Sequence, residues 1–329
     1  MKKVNNTIIV FLLLIVTAAC TSELEKREGI FVFDELNRQI PVFSGDSAYT
    51  NVQKQLEFGP RVPGTQSHTD TRNFLINTLR DRAGRRNVFT QDFSRTIYGD
   101  TLQMSNIIAA FNLEAADRIF LCAHWDTRPR ADRDPDITRR NEPIPGADDG
   151  ASGVAVLLEI ARILAENPPP IGVDLVLFDG EDYGREGDLQ YYFLGAREWA
   201  ENPPVPGYKP RFGILLDMVG AKDAVFPKEL YSLTYARPLV DGVWEVASGL
   251  GYGNKFPDIR GAAISDDHVV INEKLGIPTI NIIHHNRGSG DSVFPEYWHT
   301  HADNLDIISE ETLGMIGHIL TEIIYNRIK

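Results

Sequence analysis

The chain predicts an α/β fold: a single domain on a central, mainly parallel (mixed) sheet, with helices on both faces. Short apolar runs at residues 119–123, 173–178, 214–216 and 279–283 are continuous rather than alternating, the pattern of strands buried on both sides. Segments with helical spacing intervene at 154–164, 239–250 and 307–328, so strands and helices alternate along the chain. The stretches richest in polar residues, 126–149, 179–192, 217–226 and 284–304, follow the apolar runs directly. Open α/β sheets place their ligand sites there, beyond the carboxyl ends of the strands.

From the N-terminus, Lys2 and Lys3 precede an apolar run over 8–19 that closes on Ala18-Ala19-Cys20. The run is too short to span a bilayer, which takes about 20 residues, and it fits the apolar core of a secretory signal. A cysteine directly after two small residues resembles a bacterial lipoprotein processing site, although Thr17 stands where such sites usually carry Leu. Residues 1–19 are therefore expected to be a signal peptide. Cys20 would be lipidated, and residues 20–45 would form a tether and leading arm. The expected product is an exported, membrane-anchored lipoprotein on a periplasmic or cell-surface face. The domain itself occupies 46–329. Val52, Leu56 and Phe58, then Phe74, Leu75 and Leu79, suggest two early helices separated by the turn Gly59-Pro60-Arg61-Val62-Pro63-Gly64.

Composition narrows the function. The 329 residues are 43% hydrophobic and 24% charged, ordinary globular values that exclude a largely disordered chain. The net charge of −13, without a long Lys/Arg cluster, argues against nucleic acid, whose phosphates need a positive patch. Only two cysteines exist. With Cys20 acylated no intramolecular disulfide can form, and Cys122, inside an apolar run, reads as a buried packing residue.

Four clusters at the strand ends carry the chemistry: His124-Trp125-Asp126, Gly146-Ala147-Asp148-Asp149-Gly150-Ala151, Asp179-Gly180-Glu181-Asp182 and Trp298-His299-Thr300-His301. Asp217 ends another strand, and Asp266-Asp267-His268 opens a segment of its own. Taken singly each has a plain structural reading, since Asp149 could cap its helix and His299 could be a hydrogen-bonded framework residue. Together they read as a metal site, because unpaired buried charges destabilise a fold. Carboxylates and imidazoles without thiolates suit zinc, whose catalytic sites use three protein ligands and leave one position open. Adjacent acids can then divide the work, one binding metal and its neighbour moving a proton.

These pieces resemble the animal-type glutaminyl cyclases, zinc enzymes of the zinc aminopeptidase superfamily. The resemblance runs from about residue 58 to the C-terminus. It is carried by Cys122-Ala123-His124-Trp125-Asp126, Gly146-Ala147-Asp148-Asp149 and Phe178-Asp179-Gly180-Glu181-Asp182. It continues in Leu215-Leu216-Asp217-Met218-Val219-Gly220-Ala221, Asp266-Asp267-His268 and Phe294-Pro295-Glu296-Tyr297-Trp298-His299-Thr300. The last three are the most telling of the cyclases. The resemblance implies a zinc aminopeptidase-like fold and one zinc per chain on Asp149, Asp182 and His299. It also implies Glu181 as proton carrier, Asp217 and Asp266 as a hydrogen-bonded acid pair, and Trp298 lining the substrate pocket. The implied reaction turns the N-terminal glutamine of a peptide or protein into pyroglutamate and releases ammonia.

The chain departs from the animal pattern in three places. Asp182 replaces a Glu, the run 183–188 lacks a tryptophan of the pocket wall, and Val154 replaces a cysteine that pairs with the one matching Cys122. Two other readings compete. A two-zinc aminopeptidase would use His124, Asp149 and Asp217 for one metal and Asp149, Asp182 and His299 for the other. A surface lipoprotein could keep the fold only to bind peptides. Oligomeric state is not legible in the sequence.

Overall fold

The computed structural model describes residue 31 and residues 39–203, 205–285 and 292–328. The signal segment, Cys20 and most of the expected arm lie outside them. The two early helices are α1 (Gly45–Glu57) and α2 (Gln66–Ala83), each started by a hydroxyl cap. Ser44 accepts from the Ser47 N–H and Thr65 from the His68 N–H.

A hairpin that the sequence reading passed over comes next, β1 (Val88–Ile97) and β2 (Asp100–Phe111). Its two-residue turn places Tyr98 and Gly99 at φ 53° and 96°. Both residues at positive φ is the hairpin geometry that matches strand twist, and only the glycine adopts it freely.

The remaining elements alternate as expected: β3 (Arg118–His124), α3 (Ala151–Glu166), β4 (Gly172–Phe178), α4 (Leu194–Glu201), β5 (Gly213–Asp217), α5 (Leu230–Gly249), α6 (Asp267–Leu275), β6 (Thr279–Ile283) and α7 (Glu310–Glu322). The helical run read at 239–250 is only the second part of α5. Pro238 and the non-helical Ala236 interrupt that helix, so periodicity registers on one side of the break alone. The run 307–328 is shared between α7 and a single π-helical stretch, Ile323–Arg327. No helix among the described residues is long and apolar enough to cross a membrane.

The six strands lie in the order β1-β2-β4-β3-β5-β6. β4, β3, β5 and β6 are mutually parallel, whereas β1 and β2 join at one side by antiparallel pairing. The sheet is mixed, as expected. Successive residues of the inner strands enter two different cores, which is why their sequences read as unbroken apolar runs. Ile119, Leu121 and Ala123 pack with α1, α2, α3, α5 and α7. Phe120 and Cys122 pack with Trp199 of α4 and Val270 and Ile271 of α6. Cys122 is fully buried, as its surroundings in the sequence indicated.

The chain runs from β3 through α3 to β4, then back through α4, on the other face, to β5. β3 is thus the strand at which the direction of winding reverses. Its carboxyl end is the crevice where an α/β sheet binds ligand.

Candidate active site

All seven residues singled out by the resemblance line one cavity of about 380 Å³ at that crevice: Asp149, Glu181, Asp182, Asp217, Asp266, Trp298 and His299. They come from five separate segments. β5 ends on Asp217, β4 leads into Asp179–Asp182, and Asp149 lies two residues before α3, whose N-cap is Gly150. Asp266 is the N-cap of α6, and His299 lies in the loop before α7.

Two clusters of metal-ligand type meet at Asp149. Asp149, Asp182 and His299 form one, and His124, Asp149 and Asp217 the other, with ligand atoms in each within 4.8 Å of one another. In the first, His299 Nε2 lies 3.3 Å from Asp182 Oδ2 and 3.8 Å from Asp149 Oδ2. Asp182 Oδ2 is buried without a hydrogen-bond partner. Two carboxylate oxygens and an imidazole nitrogen converging in a buried place, one oxygen unsatisfied, fit a divalent cation of the zinc type. In the second cluster, His124 Nε2 lies 3.1 Å from Asp149 Oδ1 and 3.3 Å from Asp217 Oδ1.

The neighbouring acids serve as framework. Asp126 accepts from the Glu181 and Asp182 N–H groups at 3.0 and 3.3 Å. Asp148 accepts from the Gly220 N–H at 2.7 Å and the Tyr297 hydroxyl at 2.6 Å. Asp179 lies 3.0 Å from His68 Nε2 and accepts from the Ser105 N–H. Between Asp179 and Glu181 the chain turns at Gly180, φ 71°, where a Cβ would stand 2.5 Å from the Met104 sulfur. Only glycine fits that turn. His301 points elsewhere, its Nδ1 2.7 Å from Asp134 Oδ2. His268 pairs with buried Glu229 at 3.1 Å, so of Asp266-Asp267-His268 only the first residue reaches the cavity.

Electrostatics separates the acids. Burial pushes Glu181 well above the usual carboxylate range, against the opposing pull of His124 and with the added charges of Asp182, Asp266 and Asp267. Burial raises Asp217 to about 6 despite His124. Burial, and after it the charge of Asp217, raises Asp266 to about 7. Both oxygens of Asp266 are engaged, Oδ1 by the Asp267 N–H and Oδ2 by the Asn281 amide, each at 2.6 Å. Asp182 behaves oppositely: Arg128 and His299 overcome its burial and hold it ionised. Burial works against a charged His299, but Asp182 and Asp132 more than offset it and raise its pKa.

One wall is aromatic. The Trp298 indole lies nearly parallel to the His299 imidazole, centroids 3.5 Å apart, and to Phe294 at 4.1 Å. Tyr192 lines the same cavity, so an aromatic ring is present although 183–188 lacks a tryptophan. His299 itself is held at φ 57°, a left-handed conformation costing a non-glycine residue about 1–3 kcal/mol. Its carbonyl accepts from the Arg133 N–H at 3.2 Å.

Several supporting residues escaped the sequence reading. Arg61, fully buried in the Gly59–Gly64 turn, donates to the carbonyls of Pro145 and Gly146 at 2.6 Å and so shapes the approach to Asp149. Asp303 accepts from the Asp148 and Asp149 N–H groups at 2.7 and 3.2 Å. Arg128 and Asp132 line the cavity. Their spacing of four in a loop was the only sequence signal for that pair.

A family model for peptidase family M28 matches residues 106–324. Among solved structures, the glutaminyl cyclase of Bacteroides thetaiotaomicron bound to N-acetylhistamine is 44% identical. It superposes with a TM-score of 0.83 over 87% of this chain and 99% of that one. A Zn-dependent exopeptidase from Parabacteroides distasonis is also 44% identical, with a TM-score of 0.84 over 88% and 100%. The glutaminyl-peptide cyclotransferase of Drosophila melanogaster is 26% identical over 284 residues, 79% of this chain and 75% of that protein. The matched segment spans the five cavity acids Asp149, Glu181, Asp182, Asp217 and Asp266 together with Trp298 and His299, and the chain belongs to peptidase family M28.

Proposed function

We propose that this protein is a glutaminyl-peptide cyclotransferase that converts the N-terminal glutamine of peptides or proteins to pyroglutamate with release of ammonia. Asp149, Asp182 and His299 would hold one zinc per chain. A zinc ion there supplies an electrophile for the γ-carbonyl of the substrate glutamine. Glu181, kept avid for protons by its burial, takes a proton from the substrate's α-amine and returns one to the departing nitrogen. The new bond joins the α-nitrogen to the γ-carbonyl carbon, and the bond to the amide nitrogen breaks. Asp217 and Asp266, raised to about 6 and about 7 chiefly by burial, hold a proton between them part of the time near neutrality without a direct hydrogen bond, which would limit negative charge around the reacting amine. Trp298 supplies the apolar wall against which the glutamine folds back on its own amine.

The observation that carries this reading over hydrolysis is Asp266. It is a second buried acid beside Asp217, and a two-metal hydrolase has no need of it. The His124–Asp149–Asp217 cluster is what favours the runner-up, a two-zinc aminopeptidase. Products decide between them. A Gln-Xaa peptide should lose one ammonia with its peptide bond intact, and Leu-Xaa should remain uncleaved. Hydrolysis of Leu-Xaa as the main activity would overturn the assignment.

A further inference from the structure

The loop after β3 carries one buried cation, Arg128, whose side chain is 1% exposed. All five of its N–H donors have partners. Nε and Nη2 fork onto Asp132 at 2.9 and 2.5 Å, and Nη2 also reaches the Tyr192 hydroxyl at 3.3 Å. Nη1 donates to Asp182 Oδ1 at 2.5 Å and to the Asp182 carbonyl at 3.3 Å. A planar guanidinium held at this many points fixes the orientation of the groups it binds.

Two of the three residues of the Asp149–Asp182–His299 cluster are thereby oriented. With Oδ1 of Asp182 taken by Arg128, Oδ2 is the oxygen left without a partner, and it faces His299 Nε2. Asp132, aligned by the Arg128 fork, brings Oδ1 within 3.3 Å of His299 Nδ1. A proton on Nδ1 shared with Asp132 leaves the Nε2 lone pair pointing toward Asp149 and Asp182. This is how a carboxylate behind a ligating histidine sets its tautomer and raises its basicity.

We propose that Arg128 is a positioning residue for the metal cluster: it selects Oδ2 of Asp182 as the ligand oxygen and, through Asp132, presents Nε2 of His299. The inference rests on the reading that Asp149, Asp182 and His299 bind zinc. Arg128 acts through geometry rather than charge alone, so a lysine in its place does not suffice.

The test is zinc affinity, measured on the purified full chain by competition with a chromophoric chelator, with thermal unfolding recorded for each variant. Arg128→Lys keeps the charge but cannot fork, and Asp132→Asn keeps the shape but weakens the pull on Nδ1. Each should lose roughly 10–100-fold in zinc affinity while remaining folded. Affinity within about threefold of the parent in both variants overturns the proposal, as does a lowered Tm with unchanged zinc affinity, the outcome of a merely structural ion pair. If Arg128→Lys does not fold, Asp132→Asn alone carries the decision. His299→Ala separates the two levels. If it keeps tight zinc binding, the metal reading itself fails. If it loses zinc while Arg128→Lys and Asp132→Asn retain it, only the positioning role fails.

Discussion

Replacing Glu229 with Gln should cost about 3 kcal/mol at neutral pH, although Glu229 lies outside the cavity. The residue is fully buried at the start of α5. Its Oε1 accepts from the Tyr231 and Ile264 N–H groups at 2.8 and 3.0 Å. Its Oε2 accepts from the Ser232 N–H at 2.6 Å and the Ser232 hydroxyl at 2.8 Å, and lies 3.1 Å from His268 Nε2. Burial alone would raise the pKa, but His268 and these donors bring it from 4.5 down to about 2. At about 1.4 kcal/mol per unit, that difference corresponds to about 3 kcal/mol favouring the folded state. Because the folded value is depressed, the contribution is fully present above the unfolded pKa. It fades as pH falls from about 4.5 through about 2, and about half should remain at pH 3. Urea unfolding of parent and Glu229→Gln at pH 7 and pH 3 measures it. A gap at pH 7 below about 1 kcal/mol, or one that does not shrink at pH 3, would refute the reasoning. The Ser232 hydroxyl also accepts from the Asn281 N–H, and the Asn281 amide donates to Asp266, so the cavity's acid wall stands on this carboxylate.

Other outcomes follow from the site and the core. Glu181→Gln should abolish ammonia release from Gln-Xaa almost completely while bound zinc is retained; persistence of activity above about one hundredth of the parent's would remove Glu181 as the proton carrier. Trp199→Ala, which empties the core between α4 and the sheet, should destabilise by about 3–5 kcal/mol in urea titrations, and a loss under 1 kcal/mol would mean the site collapses around the gap. Cys20→Ser should move active protein from the membrane fraction to the soluble one, and identical fractionation of variant and parent would contradict lipid anchoring.

How much could be read without coordinates depended on whether burial left a mark on the sequence. β3, β4, β5 and β6 are covered on both faces, and their apolar runs announce them. β1 is largely open to solvent, and its polar residues with a Tyr-Gly turn carry none of the usual Asn-Gly or Asp-Gly signal, so the hairpin passed unnoticed. At the site, acids at strand ends were visible because nothing in a core explains them. The residues that hold those acids were not. Arg61, Arg128 and Asp303 hold site groups 54 to 155 positions away, separations at which a single sequence shows no pattern.

The parity of β3 bears on how this scaffold can change over generations. Its odd-numbered residues feed one core and its even-numbered residues the other, and His124, at the strand's end, is aligned with Phe178 of β4. Insertion of one residue within the strand would exchange the two cores' side chains and replace the imidazole at the crevice with a neighbour. The loops above the sheet carry no such parity, so lengthening there away from Arg128–Asp132 and His299 leaves both cores in register, whereas the strands beneath tolerate drift only in steps of two. Natural variation in length should therefore collect at the rim and leave the strands constant, a phase lock between the interior and the chemistry above it.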